Sequence, residues 1–102
     1  MTLAGIEIPE DQIRGFCRQQ KIRKLALFGS VLTDRFSDSS DVDVLIELRP
    51  DTHIGFFRLA DIETELSRML GGRRVDVRTP LDLSRHFREQ VVRDAPVLYA
   101  EP

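Results

Sequence analysis

Two aspartates stand at the start of a strand-like apolar run, and this run constrains the fold more than any other part of the sequence. The segment reads LFGSVLTDRFSDSSDVDVLIEL, with Asp41 and Asp43 at the beginning of its last apolar stretch. Aspartate is depleted in strands because its side chain competes for nearby backbone hydrogen bonds. A local rule broken in this way is typical of functional positions. We therefore expect a buried strand with a chemically active end.

Apolar periodicity predicts helices and strands that alternate along the chain. Helical spacing begins at Pro9, recurs from His53 to about Leu70, and recurs again in PLDLSRHFREQVVRDA. Short apolar runs predict strands in KLALFG, DVDVLIEL and RRVDVRT, while SVLTDRF is expected to form a short helix capped by Ser30 and PVLYA a short extended tail. The order αβαβαβα indicates an α/β (α+β) fold in which helices flank a small mixed β-sheet. The length suits one domain, residues 1–102.

Charge and cysteine content narrow the function classes. The formal net charge of -2 at pH 7 argues against non-specific duplex binding, and we expect no stable complex with nucleic acid. Arginine is concentrated in the second half, where it suits an anionic ligand, an acidic partner or simply a solvated helix face. The single cysteine, Cys17, cannot form an internal disulfide and favours a reducing compartment. With no signal-peptide pattern and no membrane-spanning apolar run, the sequence predicts a cytoplasmic protein without a membrane partner.

The aspartates are expected to form a cation site. Side chains alternate across a strand, so Asp41 and Asp43 share one face while Val42 and Val44 point to the other. The same alternation places Asp76, in RRVDVRT, opposite its valine neighbours, and the three carboxylates converge if the two strands are adjacent. Carboxylates so close raise one another's pKa unless a cation is bound. Hard oxygen ligands of this kind suit Mg²⁺ or Mn²⁺.

A second expected site precedes the aspartates in the chain. Gly29 and Ser30 stand where the strand KLALFG ends and a helix is predicted to begin. Free backbone N–H groups at such a position attract an anion, glycine lets a phosphate approach the backbone, and the serine hydroxyl adds a donor. A phosphate site beside metal-binding carboxylates is the arrangement that nucleotide chemistry needs.

This combination resembles the signature of a known family. Gly29 and Ser30, then ten residues, then Asp-Val-Asp are similar to the motif of the DNA polymerase β-type nucleotidyltransferases. With the short chain and the later isolated aspartate in RRVDVRT, the sequence most resembles the minimal nucleotidyltransferases, which are the antitoxin halves of HEPN–MNT toxin–antitoxin pairs. The resemblance extends from about Ile22 to Tyr99.

The resemblance implies both an activity and residue roles. Gly29 and Ser30 would bind the triphosphate of ATP, and Asp41, Asp43 and Asp76 would bind two Mg²⁺ ions, with Asp76 also helping to deprotonate the attacking hydroxyl. The implied protein is a type VII-like antitoxin that moves AMP from ATP to a tyrosine hydroxyl of its cognate HEPN ribonuclease toxin and releases pyrophosphate.

Several alternatives stay open at the level of sequence. The chain could neutralise a toxin by stoichiometric binding, or transfer a nucleotide to a small molecule or an RNA, and a homo-oligomer is compatible with either. Asp34 and Asp38 are interpreted as turn residues, because aspartate is common in turns. His53 and His86 lack the spacing that zinc ligands show.

Overall fold

A computed structural model describes residues 2–101, which are arranged around a four-stranded mixed sheet. The helices are α1 (Glu10–Gln19), α2 (Phe56–Met69) and α3 (Arg85–Asp94). The strands are β1 (Thr2–Leu3), β2 (Ile6–Glu7), β3 (Ile22–Phe28), β4 (Val42–Leu48), β5 (Val75–Arg78) and β6 (Val97–Ala100), and short 3₁₀ helices cover Gly29–Leu32 and Pro80–Asp82. The predicted fold class, a small mixed sheet flanked by helices, is confirmed.

The topology of the main sheet brings the ends of three strands together at one end of the sheet, and this end is called the edge of the sheet below. The strand order is β5-β4-β3-β6, in which β3 is antiparallel to β4 and β6 while β4 and β5 are parallel. The parallel strands β4 and β5 start at the same edge, and the antiparallel strand β3 ends there, with Phe28 opposite Asp43. Residues that are far apart in sequence are therefore neighbours at this edge.

Each face of the sheet carries its own apolar core. The larger core packs α1 and α2 against one face and includes Ile13, Leu66 and, from β4, Val42 and Val44. The smaller core packs α3 against the other face, and its members are Ala26, Phe28, Leu45, Leu83, Val91 and Ala95. The predicted alternation along β4 is confirmed, because adjacent residues of this strand belong to different cores.

The end of α2 is set by two glycines. Gly71 has φ +79° and Gly72 has φ +84°, a conformation that glycine adopts without steric cost. The Gly72 N–H donates a hydrogen bond of 2.8 Å to the Ser67 carbonyl and so satisfies an acceptor at the helix end. The chain then turns directly into β5, which carries the third aspartate.

Four local features differ from the sequence predictions, and the first is that the helix predicted for PLDLSRHFREQVVRDA is divided into the 3₁₀ helix Pro80–Asp82 and α3, which begins only at Arg85. The expected helix in SVLTDRF is a single turn, Gly29–Leu32, because the N–H and the hydroxyl of Thr33 both donate to the Ser30 carbonyl and close it. Ser30 lies inside that turn and makes no side-chain cap. The extended tail is strand β6, paired with β3, and the hairpin β1–β2 has no counterpart in the prediction.

Helix length bears on membrane insertion. Within residues 2–101, no helix is both long enough and apolar enough to cross a membrane.

Candidate active site

The backbone places the three predicted aspartates at one edge of the sheet. Asp43 of β4 and Asp76 of β5 are register partners on adjacent parallel strands. Asp41 lies immediately before β4 and is exposed, whereas Asp43 and Asp76 are partly buried. The condition for convergence, that the two strands are adjacent, is met by the strand pairing, and Asp41 lies just before the strand rather than inside it.

Gly29 lies directly against the carboxylate of Asp43. It has φ +76°, and a Cβ atom built on it would overlap Oδ2 of Asp43 and lie 3.1 Å from its Cγ. A residue with a Cβ would therefore be strained by this backbone conformation and would have to displace the Asp43 carboxylate. The turn also presents the Ser30 backbone N–H to the Asp43 carboxylate as a hydrogen-bond donor. The Ser30 N–H, a donor of the type that the sequence predicts for a phosphate, therefore acts on a carboxylate of its own chain and lowers its pKa.

The carboxylate of Asp43 experiences opposing electrostatic effects. Partial burial, followed by the negative charges of Asp76 and Asp41, raises the pKa of Asp43 above its usual value. The Arg78 guanidinium and the Ser30 N–H act in the opposite direction. The three acidic side chains are therefore close enough to interact, and Asp43 is the one that their mutual repulsion affects most clearly.

Two arginines, one just before β5 and one at its last position, pair with Asp41 and Asp76. Arg74 Nε lies 3.3 Å from Asp41 Oδ1, and Arg78 donates two hydrogen bonds of 3.1 and 3.2 Å to Asp76 Oδ2. Sequence reasoning treated these arginines as part of a general basic half of the chain. The signal that could have identified them is their position on both sides of Val-Asp-Val in RRVDVRT.

A third arginine fixes the loop that leads into Asp41. Arg73 donates to Asp38 Oδ1 at 3.2 Å and to the Ser37 carbonyl at 3.4 Å, and its guanidinium lies 5.2 Å from the ring centre of Phe36. Within the loop, the Ser37 N–H donates to the hydroxyl of Ser40 at 3.0 Å. The predicted turn role of Asp38 agrees with these contacts, since its carboxylate helps to position the loop.

An open cleft of about 400 Å³ lies beside the carboxylates. Asp41, Arg74 and Asp76 line it together with Glu63 and Ser67 of α2. Sequence reasoning did not single out Glu63, whose Oε2 accepts a 2.8 Å hydrogen bond from the Val77 N–H of β5. The contact has no sequence signal, because it depends on how α2 crosses the edge strand.

The three carboxylates at this edge are oxygen donors of the kind that bind divalent cations. Among residues 2–101, no three acidic, histidine or cysteine side chains lie close enough together, in the rotamers seen here, to form a metal site. Three carboxylate oxygen donors nevertheless meet the preference of Mg²⁺ or Mn²⁺, and burial, followed by the negative charges of Asp76 and Asp41, raises the pKa of Asp43. The arginine pairs are solvent-exposed, so exchanging them for a cation costs little. The chemistry of these donors therefore fits a divalent cation, while their arrangement seen here does not form its site.

Two further side chains with titratable groups lie away from this edge. Glu47, further along β4, pairs with Arg23 at 3.3 Å and Lys24 at 3.6 Å. Tyr99 is partly buried on β6 and packs against the larger core. Both positions agree with structural roles.

Comparison with known proteins gives matches at the level of family and fold. Residues 11–102 match the sequence model of the polymerase beta nucleotidyltransferase family. No curated protein sequence matches significantly. The fold is similar to a crystal structure of a toxin–antitoxin with AMP-PNP, with a TM-score of 0.70 and 21% identity, covering 92% of this chain and 75% of that one. It is also similar to a minimal nucleotidyltransferase, with a TM-score of 0.68 and 27% identity, covering 84% of this chain and 85% of that one. A third similar structure is a mutant toxin–antitoxin MntA-HpeT, with a TM-score of 0.69 and 19% identity, covering 92% of this chain and 75% of that one.

Proposed function

The chain belongs to the polymerase beta nucleotidyltransferase family, and from that premise we propose that it is an antitoxin that transfers AMP from ATP to a tyrosine hydroxyl of a partner HEPN ribonuclease toxin. Family membership supports nucleotidyl transfer as the reaction class. The acceptor and the partner are the parts of the proposal that go beyond it.

One observation carries the proposal: the Gly29–Ser30 turn is packed onto Asp43, and Asp43 is beside Asp76 across the parallel strand pair. A glycine with positive φ and no room for a Cβ brings bare backbone next to a carboxylate cluster. This is the juxtaposition that a triphosphate and its cations require, because phosphate oxygens and carboxylates share the same metals.

The proposed reaction assigns a task to each part of the edge. The backbone and hydroxyl of Ser30, with Gly29, bind the phosphates and hold the α-phosphorus in line with the acceptor. The tyrosine oxygen forms a bond to that phosphorus, the bond between the α- and β-phosphates breaks, and pyrophosphate leaves. Asp76 accepts the phenolic proton. Two divalent cations, held by Asp41, Asp43 and Asp76, supply charge neutralisation at the phosphates when they are bound.

The antitoxin assignment draws on the solved structures. Two of the folds reported above are described as toxin–antitoxin proteins, and one of these contains AMP-PNP, an analogue of ATP. At 19–21% identity, the similarity to these structures shows only that the fold is shared. The toxin partner and ATP as the nucleotide are therefore proposals that the similarity supports.

The decisive experiment incubates the purified chain with α-labelled ATP, Mg²⁺ and the protein encoded by the neighbouring gene, and follows the label on a denaturing gel. We expect label on the partner with the wild-type chain and none with Asp43→Asn. Asp34→Asn is the matched control, because Asp34 is an exposed loop residue outside the carboxylate group, and it should label the partner normally. Label transferred at full rate by Asp43→Asn would refute the assignment.

A second candidate, neutralisation by stoichiometric binding, is favoured by exposed apolar surface. Phe56 and Phe57 at the start of α2 are 81% and 83% exposed, and their rings contact each other edge to face. Aromatic side chains exposed to this extent are typical of surfaces that partners bury. If binding alone neutralises the toxin, Asp43→Asn protects cells as well as the wild type does. Loss of protection in that variant, with the complex intact by gel filtration, excludes this candidate.

A further inference from the structure

A second cleft lies beside the glycine turn, on the side that faces α3. It has a volume of about 210 Å³ and opens between the end of β3 and one face of the helix. Phe28 and Val91 form its buried floor, while Leu32 and Phe87 form walls that are 47% and 45% exposed. The rings of Phe28 and Phe87 meet edge to face, with their centres 6.2 Å apart. The cleft therefore presents preformed apolar and aromatic surface to solvent.

This cleft is continuous with the carboxylate edge. Gly29 lines it and also contacts Asp43, so one residue separates the two. Phe28 is the register partner of Asp43. Alternation places Asp43 on the same face of β4 as Leu45, which packs in the smaller core together with Phe28. The aromatic floor and the Asp43 carboxylate thus share the face of the sheet that α3 covers.

The rim of the cleft carries hydrogen-bonding groups. Gln90 and Asp94 lie one helical turn apart on α3 and line the cleft with Phe87 and Val91, on the face defined by the spacing i, i+3, i+4 and i+7. A glutamine amide offers one donor and one acceptor, the pair that matches the N6 and N7 edge of adenine. Apolar walls with a few placed polar groups are the usual composition of a small-molecule site.

We propose that this cleft binds the adenine base of the nucleotide, with Phe87 and Leu32 against the ring faces and Gln90 reading the ring edge. The inference rests on the proposed function, since it takes the phosphates to be bound at Gly29 and Ser30. The volume agrees with a single base, because sites that enclose a whole drug-sized ligand measure roughly 300–1,000 Å³. The occupant is identified by continuity with the glycine turn and by the donor–acceptor pair at the rim.

The test separates recognition of the base from recognition of the phosphates. Binding of ATP and of inorganic tripolyphosphate, each with Mg²⁺, is measured by calorimetry on the full chain. Phe87→Ala should weaken ATP binding by about 5- to 150-fold, the range for loss of one base-stacking aromatic, and leave tripolyphosphate binding unchanged. Val92→Ala is the matched control, because Val92 is an exposed apolar residue of α3 outside the cleft, and it should change neither affinity.

A second variant keeps the test independent of any packing change. Gln90 is exposed, so Gln90→Ala should keep the thermal stability of the wild type while lowering the ratio of ATP to GTP affinity by about fivefold or more. If both variants bind ATP as tightly as the wild type does, the inference is wrong, and the proposed function is not affected. Equal weakening of ATP and tripolyphosphate by Phe87→Ala also overturns it, since Phe87 then acts through packing alone. A wild-type chain that binds neither probe overturns the inference and the proposed function together.

Discussion

At the residue scale, Gly29 combines two constraints that can be separated by experiment. Its φ of +76° is costly for any residue with a Cβ, and a Cβ would in addition displace the Asp43 carboxylate. We expect Gly29→Ala to lower the free energy of unfolding by about 1–2 kcal/mol from the backbone alone and to abolish nucleotidyl transfer. Urea denaturation and the labelling assay measure the two effects.

The control for Gly29 is another glycine with the same conformation. Gly71 has φ +79° and open space around the position of its missing Cβ. Gly71→Ala should therefore lose a similar amount of stability and keep its activity. Full activity in Gly29→Ala would show that the contact with Asp43 has no part in the reaction.

Cys17 is a second residue whose environment makes a clear prediction. Its side chain is fully buried, and burial, followed by the negative charge of Glu101, raises the pKa of the thiol to about 12. In the unfolded chain the thiol titrates near pH 8.5, so the unfolded state loses its proton first. The contribution of Cys17 to stability is complete below that pH and falls as the pH rises towards 12, by at most ~1.4 kcal/mol per pH unit.

Two measurements check this behaviour of Cys17. The native protein should not react with a thiol reagent at pH 8, and reaction should appear only on denaturation. Between pH 8 and pH 10, urea denaturation should show a larger loss of stability for the wild type than for Cys17→Ala, which lacks the titrating group. Rapid labelling of the folded protein would contradict the burial of this side chain.

At the element scale, one helix side chain supports the edge strand that carries Asp76. The Val77 N–H lies in the edge strand β5 and donates to Glu63 Oε2 of α2 at 2.8 Å. Glu63→Ala leaves this partly buried donor without its partner and should destabilise the protein by about 1–3 kcal/mol. Glu63→Gln retains an acceptor oxygen and should lose much less.

The control for this contact is a neighbouring glutamate of the same helix. Glu65 pairs with Arg68 on the surface at 2.9 Å, and such pairs contribute little. Glu65→Ala should therefore melt within a few degrees of the wild type. If Glu63→Ala and Glu65→Ala melt alike, α2 does not stabilise β5 through this hydrogen bond.

Elements with a strong periodic signal could be predicted from the sequence, and those that depend on long-range pairing could not. The alternation along β4 and the apolar stripe of α1 are local patterns, and the structure places Val44 and Ile13 in the core accordingly. Strand β6 forms because it pairs with the side of β3 that β4 does not occupy. The local sequence of β6 does not show that this partner is present. The sequence predicts the position of the turn at Gly29 correctly but predicts too long a helix after it. The helix ends after one turn because two hydrogen bonds from Thr33 to the Ser30 carbonyl close it.

The same distinction holds for the candidate site. Residue type and spacing were sufficient to predict Asp41, Asp43 and Asp76 as candidates, whereas the adjacency of β4 and β5 was only a condition of that prediction and comes from the strand pairing. They were not sufficient to predict that Arg74 and Arg78 pair with two of these carboxylates, because surface rotamers follow the charges that are nearest in space. Sequence patterns therefore located the edge, and the detailed pairing at that edge depended on the folded sheet.

At the scale of the whole molecule, the strand order concentrates negative charge that the sequence distributes over two segments, one with Asp41 and Asp43 and one with Asp76. The chain has a formal net charge of only -2 at pH 7, yet Asp43 interacts with both Asp41 and Asp76 at one edge of the sheet. A ligand that balances this charge binds the folded state and not the unfolded chain, in which Asp76 is apart from Asp41 and Asp43. Binding of such a ligand must therefore stabilise the fold.

This linkage predicts a thermal shift that depends on the carboxylates. At about 100 times the dissociation constant, Mg²⁺–ATP should add about 2.7 kcal/mol, and roughly 4–8 °C per kcal/mol then gives a rise in Tm of about 10–20 °C. Asp43→Asn should lose most of the rise, while Asp34→Asn should keep it. Differential scanning fluorimetry with and without EDTA measures both. A rise that persists in EDTA, or that is the same in Asp43→Asn, would place the nucleotide away from this edge and would contradict the function proposed for it.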